Sequence, residues 1–173
     1  MPIRILTAVA LLSAGLLSGS FGYGAVNLAP TFDAVPLETR LSFHTELMKR
    51  NSPVMQSAMA LTALSALALA LLHRGRERLL AAGATLLALA SFLITRLGNV
   101  PINADIKKWA VSSAPADHAE ILRRWDLYNN LRTLTAVAAF ALLVFLALRG
   151  RAGGATEAAA PPERVAPGVP AHS

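Results

Sequence analysis

Four runs of apolar residues divide the chain, and the segments between them are polar and patterned. Ile5–Leu28 is apolar or small apart from Asn27, and Val54–Leu72 reads VMQSAMALTALSALALALL. Leu79–Leu97 is a third run with Arg96 in its last turn, and Leu134–Leu148 is the apolar core of a fourth. That fourth core is short by itself. The leucine pattern runs back through Leu131, Leu127 and Leu122, however, which predicts a helix that begins outside the bilayer. A span takes about 20 residues, so the pattern predicts an all-α, four-helix transmembrane bundle within residues 1–149, with spans near 5–28, 54–72, 79–97 and 127–148. Gly15 and Gly19, like Ser18 and Gly22, have the small-xxx-small spacing that lets a neighbouring helix approach closely. The first run also has the arginine, apolar stretch and small residues of a signal peptide. Its apolar character continues to Leu28, and its loss would leave three helices without a fourth, so it is read as a span.

The long connections carry patterns of their own. In PLETRLSFHTELMKRNSP, Leu37, Leu41, His44 and Met48 fall on one helical face and Glu38, Ser42, Glu46 and Lys49 elsewhere. Pro36 suits the start of this helix and Asn51 before Ser52–Pro53 suits its end, which predicts a short amphipathic helix at the bundle mouth or membrane surface. After Arg96, Gly98-Asn99-Val100-Pro101 predicts a helix stop, with a second short interfacial helix over Ile102–Val111 and Trp109 at headgroup depth. In RRWDLYNNLRT, the residues Trp125, Asn129, Arg132 and Ala136 are spaced four, three and four apart and share one stripe bordered by Tyr128.

Composition supports the membrane reading. Only 15% of residues are charged, where soluble domains carry about a quarter. There is no cysteine, which removes disulfides, thiolate metal sites and thiol nucleophiles. A net charge of +6 on so apolar a chain marks membrane ends rather than nucleic acid. HRGRER (His73–Arg78) carries three arginines, Arg4 precedes the first span, and Arg149 and Arg151 follow the last. Both termini and the middle loop are therefore expected in the cytoplasm, with the two long loops outside. Lys107, Lys108, Arg123 and Arg124 in the third loop run against that rule, beside Asp105, Asp117, Glu120 and Asp126. Residues 150–173 are Gly-, Ala- and Pro-rich without periodicity and are expected to be a disordered cytoplasmic tail. No internal duplication is evident along the chain.

Under this topology Arg96, Asn99, Asn103, Asn129 and Arg132 gather at the outer ends of spans three and four, below His44 and Asn51. Each residue has an ordinary reading: His44 packs locally, Arg132 snorkels to the interface, Trp109 belongs to an aromatic belt. Their number, with Trp125 and Tyr128 beside them, instead favours one shared apolar pocket with a few convergent polar groups. His44 is the residue suited to proton transfer near neutral pH.

The glycine-rich first span, the helix ending near Asn51, the string NVPIN (Asn99–Asn103) and the pattern W-x-x-x-N-x-x-R-T (Trp125–Thr133) together resemble the anthrone oxygenase family, small tetraspan membrane proteins, over roughly residues 5–148. The resemblance implies oxidation of polycyclic phenolic anthrones to anthraquinones by O₂ without a metal or flavin. An anthrone carries an acidic CH₂ between two rings, and its anion passes an electron to O₂ unaided, so the protein need supply a base, oxyanion donors and a dry pocket. The candidates are His44 as base, Arg96 or Arg132 with Asn99, Asn103 or Asn129 as oxyanion donors, Trp125, Tyr128 and Trp109 beside the rings, and Asn51 at the rim. The expected partners are the lipid bilayer, a hydrophobic aromatic molecule and O₂; a homo-oligomer is left open. Two alternatives stand beside this one: a haem or copper redox protein using His44, and a non-catalytic membrane binding protein.

Overall fold

A computed structural model describes the backbone of residues 2–158 and the side chains of residues 3–149. It is all-helical, with four long apolar helices and, among the described residues, no strand. The order is α1 (Pro2–Tyr23), a π-turn at Gly24–Leu28, α2 (Ala29–Ala34), α3 (Leu37–Leu72), α4 (Gly75–Ile94), a second π-turn at Thr95–Asn99, α5 (Val100–Trp109) and α6 (His118–Ala158). α6 carries the first residues of the expected tail as helix, and the rest of that tail, 159–173, lies outside the described residues.

The expected short interfacial helices are not separate. The first-loop helix does start after Pro36, yet it runs on without a break through Pro53 to Leu72. Proline deletes one backbone hydrogen bond and crowds a carbonyl, but packing on both sides holds the helix across it. The third-loop helix is likewise continuous with α4. At Thr95–Asn99 the ladder widens, the Val100 N–H donating to the Thr95 carbonyl five residues back, and Pro101 follows two residues later. The first helix does the same: the Ala29 N–H donates to Gly24 O, and Pro30 follows the turn. A widened turn moves the preceding carbonyls off the path of the proline ring, so a residue that ends ordinary helices is absorbed here. The two helical hairpins thus share one plan, α1–π-turn–α2 then α3, and α4–π-turn–α5 then α6, a repeat of architecture that residue identity does not reveal.

α1 packs on α3 and α6, and α4 packs on the same two, giving a square bundle. At the end near the His73–Arg78 loop the core is built of small residues, with Ala10, Ala14, Ala66, Ala81 and Ala84 around Leu69 and Leu143. Small side chains let the backbones approach closely where burial of apolar surface gives no advantage over lipid. Gly15 serves this packing: a Cβ there would meet the Phe140 ring at 3.4 Å. Gly19 and Gly22 do not, for nothing lies within 4 Å of a Cβ at either. At the opposite end the core turns aromatic, with Phe32, Trp109 and Trp125 among Leu41, Ile106 and Leu122. Counted through its π-turn where it has one, each span runs at least 32 residues against the roughly 20 a bilayer needs, so the bundle is longer than the hydrocarbon is thick.

Candidate functional site

Between the alanine core and the aromatic core the four helices enclose a cavity of about 710 Å³. Every helix contributes: Gly15–Gly24 from α1 and its π-turn, His44–Met59 from α3, Phe92–Asn103 from α4 onward, and Trp125, Asn129 and Arg132 from α6.

His44 projects from the first half of α3 and is 2% exposed. The Phe32 ring stacks on it with centroids 4.8 Å apart and planes 11° apart, and Trp125 meets it edge-on at 4.6 Å. Its Nδ1 is buried without a hydrogen-bond partner. Trp125 is itself fixed at both ends of the residue. Its indole Nε1 donates to Asn103 Oδ1 at 2.7 Å, and its carbonyl accepts from Asn99 Nδ2 at 3.1 Å. The two asparagines of NVPIN therefore hold the tryptophan that walls the imidazole.

Arg132 is anchored by Asn129, one helical turn earlier, whose Oδ1 accepts from Nε at 3.2 Å and from a terminal nitrogen at 2.7 Å. The guanidinium lies over the Phe21 ring at 4.3 Å, a cation–π contact that keeps it on the cavity side. Arg96 is exposed on the cavity rim and has no ion-pair partner among the described residues. Among the described residues no aspartate or glutamate lines the cavity. Two cations without a counter-charge in an apolar cavity favour an anionic group on the occupant.

Behind Phe32 lies a charge cluster in which Arg40 is buried and Asp33 is exposed. Arg40 is 5% exposed, pairs with Asp33, stands 3.7 Å from Asp126 and sits 5.7 Å from the Phe32 ring centre. It bounds a second, smaller cavity of about 280 Å³ with His118 and Arg123.

Seven of the ten residues singled out from the sequence line the main cavity: His44, Asn51, Arg96, Asn103, Trp125, Asn129 and Arg132. Three do not. Asn99 is 0% exposed and bonded to the Trp125 carbonyl. Trp109 is buried against Ile106 and Leu122 rather than lying in an aromatic belt. Tyr128 rests on the backbone of Gly98, its ring root 2.5 Å from where a Cβ would stand. The residues missed come mostly from the first hairpin: Phe21, Phe32, Met48, Met55 and Met59 all line the cavity. The signal for the two phenylalanines was their spacing of eleven, about three helical turns, which puts both on one face. Among the described residues no three His, Asp or Glu side chains are grouped to hold a metal ion.

Fold and site together define a bundle of four helices long and apolar enough to span a membrane, with a cationic, aromatic-walled cavity. The anthrone oxygenase family profile matches residues 44–142, from the cavity histidine to beyond the Trp125–Thr133 string, and the chain belongs to that family. No curated protein and no solved structure matches it.

Proposed function

We propose that the protein oxidises a hydrophobic phenolic, anthrone-like substrate with O₂ in this cavity, using its own side chains as base and oxyanion donors. One observation carries the reading: an imidazole and two arginines line a mostly apolar cavity that, among the described residues, no carboxylate lines. The charge rule orients the cavity mouth outward, with both termini and the His73–Arg78 loop in the cytoplasm.

The chemistry asked of the chain is limited. His44 takes one proton from the CH₂ flanked by two rings, and the negative charge spreads through the middle ring to its carbonyl oxygen, the anthrolate oxygen that faces Arg132 and Arg96. The anion gives one electron to O₂. Substrate radical and superoxide then join in a C–O bond, and the resulting peroxide takes the proton from His44. Loss of the second C–H proton with cleavage of the O–O bond leaves a ketone and one water, so CH₂ + O₂ becomes C=O + H₂O. Burial strengthens the arginine–oxyanion contact by excluding water. Phe32 and Trp125 keep the imidazole fixed in orientation, and Phe21 with Asn129 does the same for Arg132.

The test separates charge recognition from apolar fit. A hydroxyanthraquinone, which O₂ leaves unchanged, is titrated into the protein in lipid nanodiscs beside its methyl ether. Arg132→Gln weakens binding of the ionised phenol by about tenfold to a hundredfold, the scale of a hydrogen bond to a charged group, and leaves the ether unchanged. Equal losses for both ligands would remove the oxyanion role.

A further inference from the structure

The cavity is longer than its chemistry requires. On α3 it is lined from His44 to Met59, and fifteen residues of helix rise about 22 Å. On the first helix it is lined from Gly15 to Leu28, again some 20 Å along the axis. Three fused rings lying between Phe32, Trp125 and Arg132 fill the polar end and leave the other end empty of partners. The two ends differ in chemistry. His44, Asn103 and Asn129 line one, Arg132 lies over Phe21 beside them, and Gly15, Leu16, Gly19 and Met59 wall the other, within the apolar runs of the sequence.

Two further observations point to an occupant. His44 Nδ1 and Asn129 Nδ2 are buried in the lining without hydrogen-bond partners, on side chains 2% and 1% exposed. A buried polar group left without a partner is destabilising, so a polar head that meets them is favoured. The apolar end, in turn, is continuous with the lipid-facing surface: Leu16 and Tyr23 line the cavity and are 69% and 60% exposed. Gly19 stands between them, with nothing within 4 Å of the Cβ it lacks. Bare backbone there widens the space between α1 and its neighbours instead of closing a helix contact.

From this geometry we infer that the substrate is an amphiphile, an anthrone-like phenolic head on an aliphatic tail, that enters sideways from the bilayer and lays its tail along the Gly15–Gly24 face of α1. The inference rests on the reading of the cavity as a ligand site and adds the substrate class and the route. The head meets His44 and Arg132; the tail lies against Leu16, Gly19, Ser20 and Met59 and never crosses water. α1 thereby sets specificity although it lies outside residues 44–142, the stretch shared with the family profile.

Photolabelling of the full chain in nanodiscs tests it. One probe is a hydroxyanthraquinone with a decyl tail ending in a diazirine; the other carries the diazirine on a tailless hydroxyanthraquinone. The tail probe labels the Gly15–Gly24 segment and Met59, and unlabelled decyl hydroxyanthraquinone displaces it. Gly19→Leu and Ser20→Leu each reduce that label at least fivefold, while the ring probe continues to label Trp125–Arg132. His44→Gln loses turnover and retains both labels, so a failure of the catalytic reading is told apart from a failure of this one. Label spread over lipid-facing positions such as Leu64 and Leu86, unchanged by the variants and the competitor, overturns the inference. So does a phospholipid diazirine that labels the same segment and resists displacement.

Discussion

His44→Gln is expected to lower turnover of an anthrone by 10²–10⁴-fold, the usual contribution of a positioned general base, with binding of the tight product analogue changed less than threefold. Glutamine keeps much of the volume between Phe32 and Trp125, so the stacked wall at 4.8 Å and 4.6 Å has something to close on. What it lacks is a basic nitrogen. Rapid mixing of enzyme and substrate, followed at the anthrolate absorption band, separates the steps. The variant should fail to build the anion, whereas Arg132→Gln should build it more slowly and hold it less well. An unchanged rate in His44→Gln would remove the imidazole from the mechanism and leave the cavity as a binding site.

Gly98→Ala is expected to cost about 3 kcal/mol, the upper range for forcing atoms into a packed site. The added Cβ would stand 2.5 Å from Tyr128 Cγ and within 2.8 Å of both Cδ atoms. These atoms belong to the root of the ring, so no rotamer change clears them and α6 itself must shift. Such a shift carries Trp125 and Asn129, which flank Tyr128 on the same helix, and activity should fall together with stability. Thermal melts in nanodiscs measure the loss. Tyr128→Ala in the same background should recover much of it, so that the double variant is less destabilised than the two single losses added together. A Gly98→Ala protein that melts like the parent would mean that the second π-turn and α6 do not touch as described.

The four spans were legible because a bilayer demands long unbroken apolar runs, and such runs admit few other structures. The His44 face and the Trp125–Arg132 stripe were legible for a related reason: helical spacing states which residues share a face. It does not state which neighbour that face meets. Trp109 and Tyr128 bear aromatic rings like Trp125, yet one fills the mouth core and the other lies on Gly98. Asn99 and Asn103 looked equivalent in NVPIN; one is spent on a backbone carbonyl and the other on an indole N–H. The prolines misled for a physical reason. Pro53 and Pro101 were read as stops by rules drawn from helices with one register, whereas a continuous packed helix carries the first and a π-turn absorbs the second. The cavity wall on α1 left almost no trace, because its contribution at Gly19 is the absence of a side chain.

The proposal stands most directly on where the new oxygen atom comes from. Purified protein in nanodiscs, supplied with an anthrone under ¹⁸O₂ in ordinary water, is predicted to form the ketone well above the rate without protein. One ¹⁸O should appear in the new carbonyl, with one O₂ consumed for each substrate oxidised. A rate equal to that of the protein-free solution, or a carbonyl oxygen drawn from water, would contradict the account.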